Sequence, residues 1–297
     1  MRTEPFCEDR VFRFRAVRSP HVAAGDDPEP MVQQQYARLR FFEDRLGAGA
    51  RRVLDWGCGS GFNCQCLREA DGRREVVGFD LCAAAVRLAR RSFPGLAFRV
   101  ADACDPALSL RPGTWDRILS CEVLEHVPDM PAFLANLRRH LAADGAALVT
   151  TPNRLVFSLG REPSPVNKEH VKELTRDEFV ELLRPHFSRV ELFGQRFRDA
   201  RLLGAWEADV RRKIRACEEG TRWVEKQPLR ARLRRWRLVN WCYEVPALRA
   251  AWQAARWGAA ARLRRALRPA PPYRWSDFEF VAGDLSDSLW FCAILRP

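Results

Sequence analysis

The chain of 297 residues is 47% hydrophobic and 30% charged, with 19 Pro and 17 Gly, which provides for a core and excludes a collagen-like or disordered polymer. Its net charge of +12 is concentrated: residues 196–275 carry 21 basic against 7 acidic side chains, whereas residues 1–195 carry 28 against 27. No uncharged apolar run reaches about 18 residues, the length of a membrane span, and the opening MRTEPFCEDRVFRFRAV places charges where a secretory signal needs an apolar core. An integral membrane protein is excluded on this reading, and a cytoplasmic location is expected.

Apolar Met31, Val32, Leu39, Phe42 and Leu46 recur near helical spacing and predict a helix over 29–46 that leads into RRVLDWGCGSG. A strand at 52–56 runs into glycines. A helix over 61–70, the strand REVVGFD ending at Asp80 and a helix over 82–92 follow. Further strands are expected at 96–100, 115–121, 145–151 and 187–193, with helices near 130–142 and 175–185. This β-α alternation predicts a mostly parallel sheet with helices on both faces and ligands at the carboxyl ends of the strands. The alternation stops near Phe197. Residues 198–275 read as a helical insertion, and the final strand SLWFCAIL at 288–295 is expected to return to the sheet edge.

The insertion sets Trp206, Trp223, Trp236, Trp241, Trp252 and Trp257 among many Arg and Leu, a pattern of amphipathic helices. A lid over a substrate mouth, a peripheral contact with the inner membrane face and an RNA-binding arm all suit that pattern. Only Lys168, Lys172, Lys213 and Lys226 among the 50 basic residues are lysines, so Arg richness is a weak pointer to phosphate binding. Ten cysteines, scattered from Cys7 to Cys292 without a C-x-x-C pair, read as free thiols. Cys64 and Cys66 stand too close in sequence for the usual paired zinc ligands. His21, His140 and His186 read as surface or packing residues.

Asp55-Trp56-Gly57-Cys58-Gly59-Ser60-Gly61 lies where a strand turns into a helix, and glycines there let a cofactor approach the backbone. Phe62 occupies the position where a dinucleotide fingerprint requires glycine, which weakens a nicotinamide or flavin reading. Asp55 at the strand end argues for a cofactor carrying positive charge, such as S-adenosylmethionine. After the strand ending at Cys121 comes Glu122-Val123-Leu124-Glu125-His126. A helical turn would bring residues i, i+3 and i+4 together, so Glu122, Glu125 and His126 are expected to converge. Thr151-Pro152-Asn153 closes a later strand, and Glu169-His170 precedes a helix. Two carboxylates and two imidazoles suit either a divalent cation or acid-base work, and His170 suits alternatively a helix cap or a substrate loop.

With these motifs in this order, the chain resembles the class I S-adenosylmethionine-dependent methyltransferases over roughly 35–197 and 276–297. The resemblance implies a Rossmann-like fold, with residues 1–50 as N-terminal segment and lead-in helix, 51–197 and 276–297 as the S-adenosylmethionine-binding domain, and 198–275 as the insertion. It implies that Asp80 accepts both ribose hydroxyls and that Asp102 reads the adenine amino group with Ala103 supplying backbone. The cofactor-binding set is then Asp55, Gly57, Cys58, Gly59, Gly61, Asp80, Leu81, Asp102, Ala103 and Cys121. The E-x-x-E-H, T-P-N and later His are similar to the ubiquinone-biosynthesis O-methyltransferases and the small-RNA 3′-terminal 2′-O-methyltransferases. By that likeness Glu122, Glu125, His126 and His170 are positions for a divalent metal, Mg²⁺ foremost; His126, His170 and Glu122 are the catalytic candidates. The expected activity is methylation of a small-molecule, lipid-linked or glycan hydroxyl. Methylation of an RNA 3′ end is the alternative acceptor. A non-enzymatic Arg-rich membrane or RNA adaptor is disfavoured because Asp55, Asp80 and Asp102 are all present.

Overall fold

The computed structural model describes residues 29–162, 164, 167, 169–218 and 273–297. Residues 1–28 and 219–272 lie outside the described residues, and with them His21, Trp223, Trp236, Trp241, Trp252 and Trp257 and the three readings of the Arg- and Trp-rich segment. Among the described residues no helix is long and apolar enough to cross a membrane.

Among the described residues, eight strands form one sheet. The strands β1 (Arg52–Trp56), β2 (Glu75–Asp80), β3 (Ala97–Val100), β4 (Trp115–Cys121) and β5 (Leu141–Pro152) pair in parallel. With β6 (Arg189–Phe197), β7 (Phe278–Val281) and β8 (Trp290–Arg296) the order is β3-β2-β1-β4-β5-β8-β6-β7. The order reverses between β1 and β4, where an open α/β sheet has its crevice.

The final strand is not at the sheet edge, as its position in sequence suggests. It runs antiparallel between β5 and β6. All of its first six residues are buried, and an unbroken apolar run is stable only where helices or chain cover both faces. The edge belongs instead to β7, FEFV, which the sequence reading missed and whose residues beyond Phe278 are half-exposed. A short strand with a partly polar row is suited to an unpaired edge.

Successive residues of a strand point to opposite faces, and the strands fill two cores by this rule. Leu54 and Trp56 of β1, Ala147 and Val149 of β5 and Phe291, Ala293 and Leu295 of β8 share one cluster with Phe133, Leu134 and Leu137 of α4 (Met130–His140) and with Phe179 and Leu183 of α6 (Arg176–Leu183). Val53, Ala146, Leu148, Cys292 and Ile294 point the other way. They meet Leu39 and Phe42 of α1 (Glu29–Phe42), Leu67 of α2 (Phe62–Ala70) and Val86 and Ala89 of α3 (Ala83–Ser92). A short turn, α5 (Arg154–Phe157), and the long helix α7 (Ala200–Glu218) meet through Phe157 and Trp206, whose rings lie 5.7 Å apart.

The lead-in helix stops at Phe42, earlier than its apolar spacing predicts, and widens into a π turn over Glu43–Gly47. The wider turn presents two groups to Arg74, which is buried: the Glu43 carboxylate, accepting at 2.6 and 2.9 Å, and the Gly47 carbonyl at 2.9 Å. A buried guanidinium needs such partners because its charge is never relinquished. Glu43→Ala should therefore lower unfolding free energy by about 3 kcal/mol, the scale for stranding one member of a buried pair. In an Arg74→Met background the same change should cost under about 1 kcal/mol, a contrast that urea denaturation of the double-mutant cycle measures.

Candidate active site

The glycine loop leaves the carboxyl end of β1 with Gly57, Gly59 and Gly61 all in the left-handed region, at φ 86°, 51° and 87°. Each glycine has a different reason. A side chain at Gly57 would collide with Val123, and one at Gly61 with Phe98. At Gly59 a Cβ would meet nothing within 4 Å, so this backbone faces open space, as a loop that receives a cofactor must. The loop is held to the next strand by the Phe79 carbonyl, which accepts from Gly57 N–H at 3.0 Å and Cys58 N–H at 2.8 Å.

Asp80 ends β2 and carries the same task forward. One carboxylate oxygen accepts from Gly59 N–H and the other from Cys82 N–H, each at 2.8 Å. The carboxylate is thus fixed at the rim, and each oxygen retains a further lone pair for a diol. Leu81 beside it is 68% exposed, an apolar face at a polar rim. Asp102, after β3, is exposed and accepts from Cys104 N–H at 2.8 Å, while Ala103 is buried and its carbonyl accepts from Asn136. Cys121 is buried at the end of β4. With the glycine loop of β1, Asp80, Leu81, Asp102 and Cys121 therefore follow the carboxyl ends of the four neighbouring strands β3, β2, β1 and β4.

Asp55 departs from this pattern. It is fully buried beneath the loop, where Cys64 donates at 3.2 Å and Asn63 at 3.5 Å. Burial pushes its carboxyl up to about 7. The sequence reading sets Asp55 against the cofactor's charge; the structure buries the carboxyl and ties it to the first turn of α2, into which the loop leads. Cys58 is likewise buried.

The E-x-x-E-H segment is not an α-helical turn, and the expected convergence of Glu122 with Glu125 and His126 does not form. Glu122 takes the left-handed conformation, φ 56°, and only Leu124–His126 make a short 3₁₀ turn. Glu122 instead accepts from the Thr150 hydroxyl at 2.9 Å and faces Arg38 at 3.8 Å. The predicted four-residue metal set reduces to three: ligand atoms of Glu125, His126 and His170 lie within 4.8 Å of one another.

Each of these three is oriented by a partner. The Glu125 carbonyl accepts from Val171 N–H at 2.7 Å and Lys172 N–H at 3.3 Å, which carries His170 over the turn. Its carboxylate accepts from the Thr151 hydroxyl at 3.2 Å through one oxygen, and the other makes no hydrogen bond among the described residues. His126 Nδ1 lies 3.0 Å from the Glu169 carbonyl and His170 Nδ1 2.7 Å from the Glu173 carboxylate. Both partners accept, so in a neutral imidazole Nδ1 carries the hydrogen and Nε2 the lone pair. The rings meet edge to face at 4.8 Å. Burial, and then the neighbouring His170, hold the His126 imidazole below its ordinary range. Burial, and then Glu122, push the Glu125 carboxyl well up.

His170 does not cap the following helix. Thr175 does, in a reciprocal capping box with Glu178. Asn153 of the T-P-N motif caps α5 by accepting from Leu155 N–H, and it donates to the Ser288 carbonyl ahead of β8. His140 is packing, as expected: its Nδ1 faces the Asn136 carbonyl and its Nε2 accepts from Leu110 N–H. Glu173, Thr150 and Arg38 were missed. Glu173 left a trace in sequence, three residues after His170, whereas Arg38 lies in a helix whose docking no local spacing reports.

Two outcomes follow. Asp80→Ala should weaken S-adenosylhomocysteine binding by about 1.5–3 kcal/mol in calorimetry, the scale of hydrogen bonds to a charged group. For Asp55 the folded carboxyl binds its proton more tightly than the unfolded one, so its contribution to stability falls as pH rises from about 4 to about 7. Thermal melts of Asp55→Asn should lose stability less steeply than wild type across that window.

A family model described as a methyltransferase domain matches residues 15–186. A probable S-adenosylmethionine-dependent methyltransferase of Mycolicibacterium smegmatis is 36% identical over 133 residues, 45% of this chain and 50% of that protein. A ubiquinone biosynthesis O-methyltransferase of Xanthomonas euvesicatoria is 29% identical over 153 residues, 50% of this chain and 63% of that protein. The chain thus spans about half to two thirds of the length of these curated relatives. Among solved structures, a TehB-like SAM-dependent methyltransferase from Corynebacterium glutamicum aligns over 64% of this chain and 85% of its own, at 23% identity and a TM-score of 0.42. Since the family match extends over more than half of the sequence and takes in the glycine loop, Asp80, Asp102 and the E-x-x-E-H turn, the chain belongs to the methyltransferase-domain family.

Proposed function

We propose that this chain is an S-adenosylmethionine-dependent O-methyltransferase acting on a hydroxyl of a small or lipid-linked molecule. The observation that carries the reading is the convergence of one buried carboxylate and two imidazoles beside the turn whose Val123 packs against the glycine loop. When bound, the cofactor supplies an electrophilic methyl group. The residues suited to hold it are Asp80 for the ribose, the open backbone at Gly59, the exposed face of Leu81, and Asp102 with Ala103 at the adenine edge.

The acceptor side is the work of the protein's own groups. In their neutral forms His126 and His170 offer Nε2 lone pairs, one of which can take the hydroxyl proton, or both can ligate a cation. Glu125, His126 and His170 fit a divalent ion: the carboxylate has an oxygen unpartnered among the described residues, and both imidazoles are set by acceptors behind them. Such an ion would supply Lewis acidity that lowers the pKa of a hydroxyl beside it. Two nitrogens and one oxygen suit Mn²⁺ or Zn²⁺ better than the Mg²⁺ that the sequence resemblance implies. Apolar groups stand beside the cluster: Phe157 stacks on His170 at 5.5 Å, and Leu155 and Val171 are each 56% exposed. They favour an acceptor with a ring or hydrocarbon chain. The relative named for ubiquinone biosynthesis supports oxygen as the methylated atom.

Methyl transfer to a substituted catechol should be lost in excess chelator and restored by Mn²⁺, with S-adenosylhomocysteine affinity changed less than about twofold, because loop and cluster are separate groups of residues. Full activity in chelator would assign the imidazoles to proton transfer alone. Glu173→Gln should reduce turnover by about 10–100-fold through misorientation of His170, the range for partners behind a ligating histidine. Because His126 resists protonation, the acid limb of kcat/KM should lie below about pH 6.5, the ordinary imidazole value.

A further inference from the structure

Arg38 is buried to 3% exposure between the lead-in helix and the sheet. Its Nε donates to Gln195 Oε1 at 2.8 Å, and Gln195 in turn donates to the Gln34 carbonyl at 3.3 Å. The guanidinium stacks 4.5 Å above the Trp290 ring. Its Nη2 makes no hydrogen bond among the described residues and lies 3.8 Å from Glu122 Oε2. A guanidinium stays charged under all physiological conditions, and replacing a buried ion pair with apolar side chains is commonly neutral or stabilising. Packing alone therefore gives no reason to keep a cation here.

Glu122 supplies a reason. It is a non-glycine residue held at φ 56°, a conformation that persists only when its surroundings impose it. Two groups grip its carboxylate, the Thr150 hydroxyl and Arg38. A Cβ added at Gly57 would clash with the Val123 side chain, so the residue after Glu122 packs directly on the cofactor loop. A relaxed Glu122 would thus disturb the turn that carries Glu125 and His126.

We infer that Arg38 is a positioning residue: from a helix that precedes the cofactor loop in sequence, it holds the Glu122 carboxylate in its left-handed turn and so sets the acceptor side of the cleft. The inference rests on the O-methyltransferase reading only for the activity that it modulates, and the placement of Glu122 is testable without an acceptor.

Crystal structures of wild type and Arg38→Met with S-adenosylhomocysteine should differ at Glu122, which leaves the left-handed region in the variant. A Glu122 that stays at positive φ in Arg38→Met, with its carboxylate still on Thr150, would overturn the proposal. With a substituted catechol as acceptor, Arg38→Met should lower kcat/KM by about tenfold or more, with S-adenosylhomocysteine Kd within about twofold. In a Glu122→Gln background the same substitution should cost less than about threefold, since the pair acts as a unit. Arg38→Lys, which keeps the charge, should recover most of the loss. Equal losses in both backgrounds, or no recovery with lysine, would make Arg38 a packing residue and overturn the inference. Absence of wild-type turnover on catechols would count against the acceptor reading, and the position of Glu122 in the two crystal structures would still decide the role of Arg38.

Discussion

The acceptor side of this protein depends on one residue that water does not reach. Glu125 is fully buried, and both its backbone and its side chain are used. Its carbonyl anchors the segment that bears His170, its carboxylate is tied to Thr151 at the end of β5, and its free oxygen faces the His126 imidazole at 4.0 Å. An ionised carboxylate in such a place is costly unless a cation compensates it. On the proposed reading a proton, a metal ion and an acceptor hydroxyl would compete for that same unpartnered oxygen.

That arrangement is possible because β4 and β5 are neighbours in register, with Cys121 opposite Thr150. Thr150 and Thr151, adjacent in sequence, then serve Glu122 and Glu125 separately. The antiparallel β8, placed beside β5, continues the scaffold: Asn153 binds the Ser288 carbonyl, and Trp290 gives Arg38 an aromatic face. A strand near the chain's last residues therefore supports a site whose chemical groups lie between 122 and 170.

Cofactor and acceptor halves meet at Gly57 and Val123. The loop can approach the turn so closely only because glycine lacks a Cβ and tolerates positive φ. Asp80 locks the same loop from the opposite side through Gly59 N–H. The loop is thereby pinned to β2 on one side and packed against the Glu122–His126 turn on the other, so the two halves of the cleft are held by rigid elements, from which most of the advantage of positioning comes.

The sequence by itself determined the alternation of strands and helices, the glycine loop and the acids at the ends of β2 and β3, because periodicity and strand-end chemistry are local properties. It also named Glu125, His126 and His170. Tertiary structure alone decided that Glu122 pairs with Thr150 and Arg38, since an i, i+3 argument holds only for helical backbone and Glu122 sits at φ 56°. It decided that Asp55 is buried and tied to the first turn of α2, a matter of which side of a strand end is covered. It placed β8 inside the sheet and Arg38 beside Glu122, 84 residues apart in the chain. Strand order and helix docking arise from contacts distant in sequence, and no local spacing encodes them.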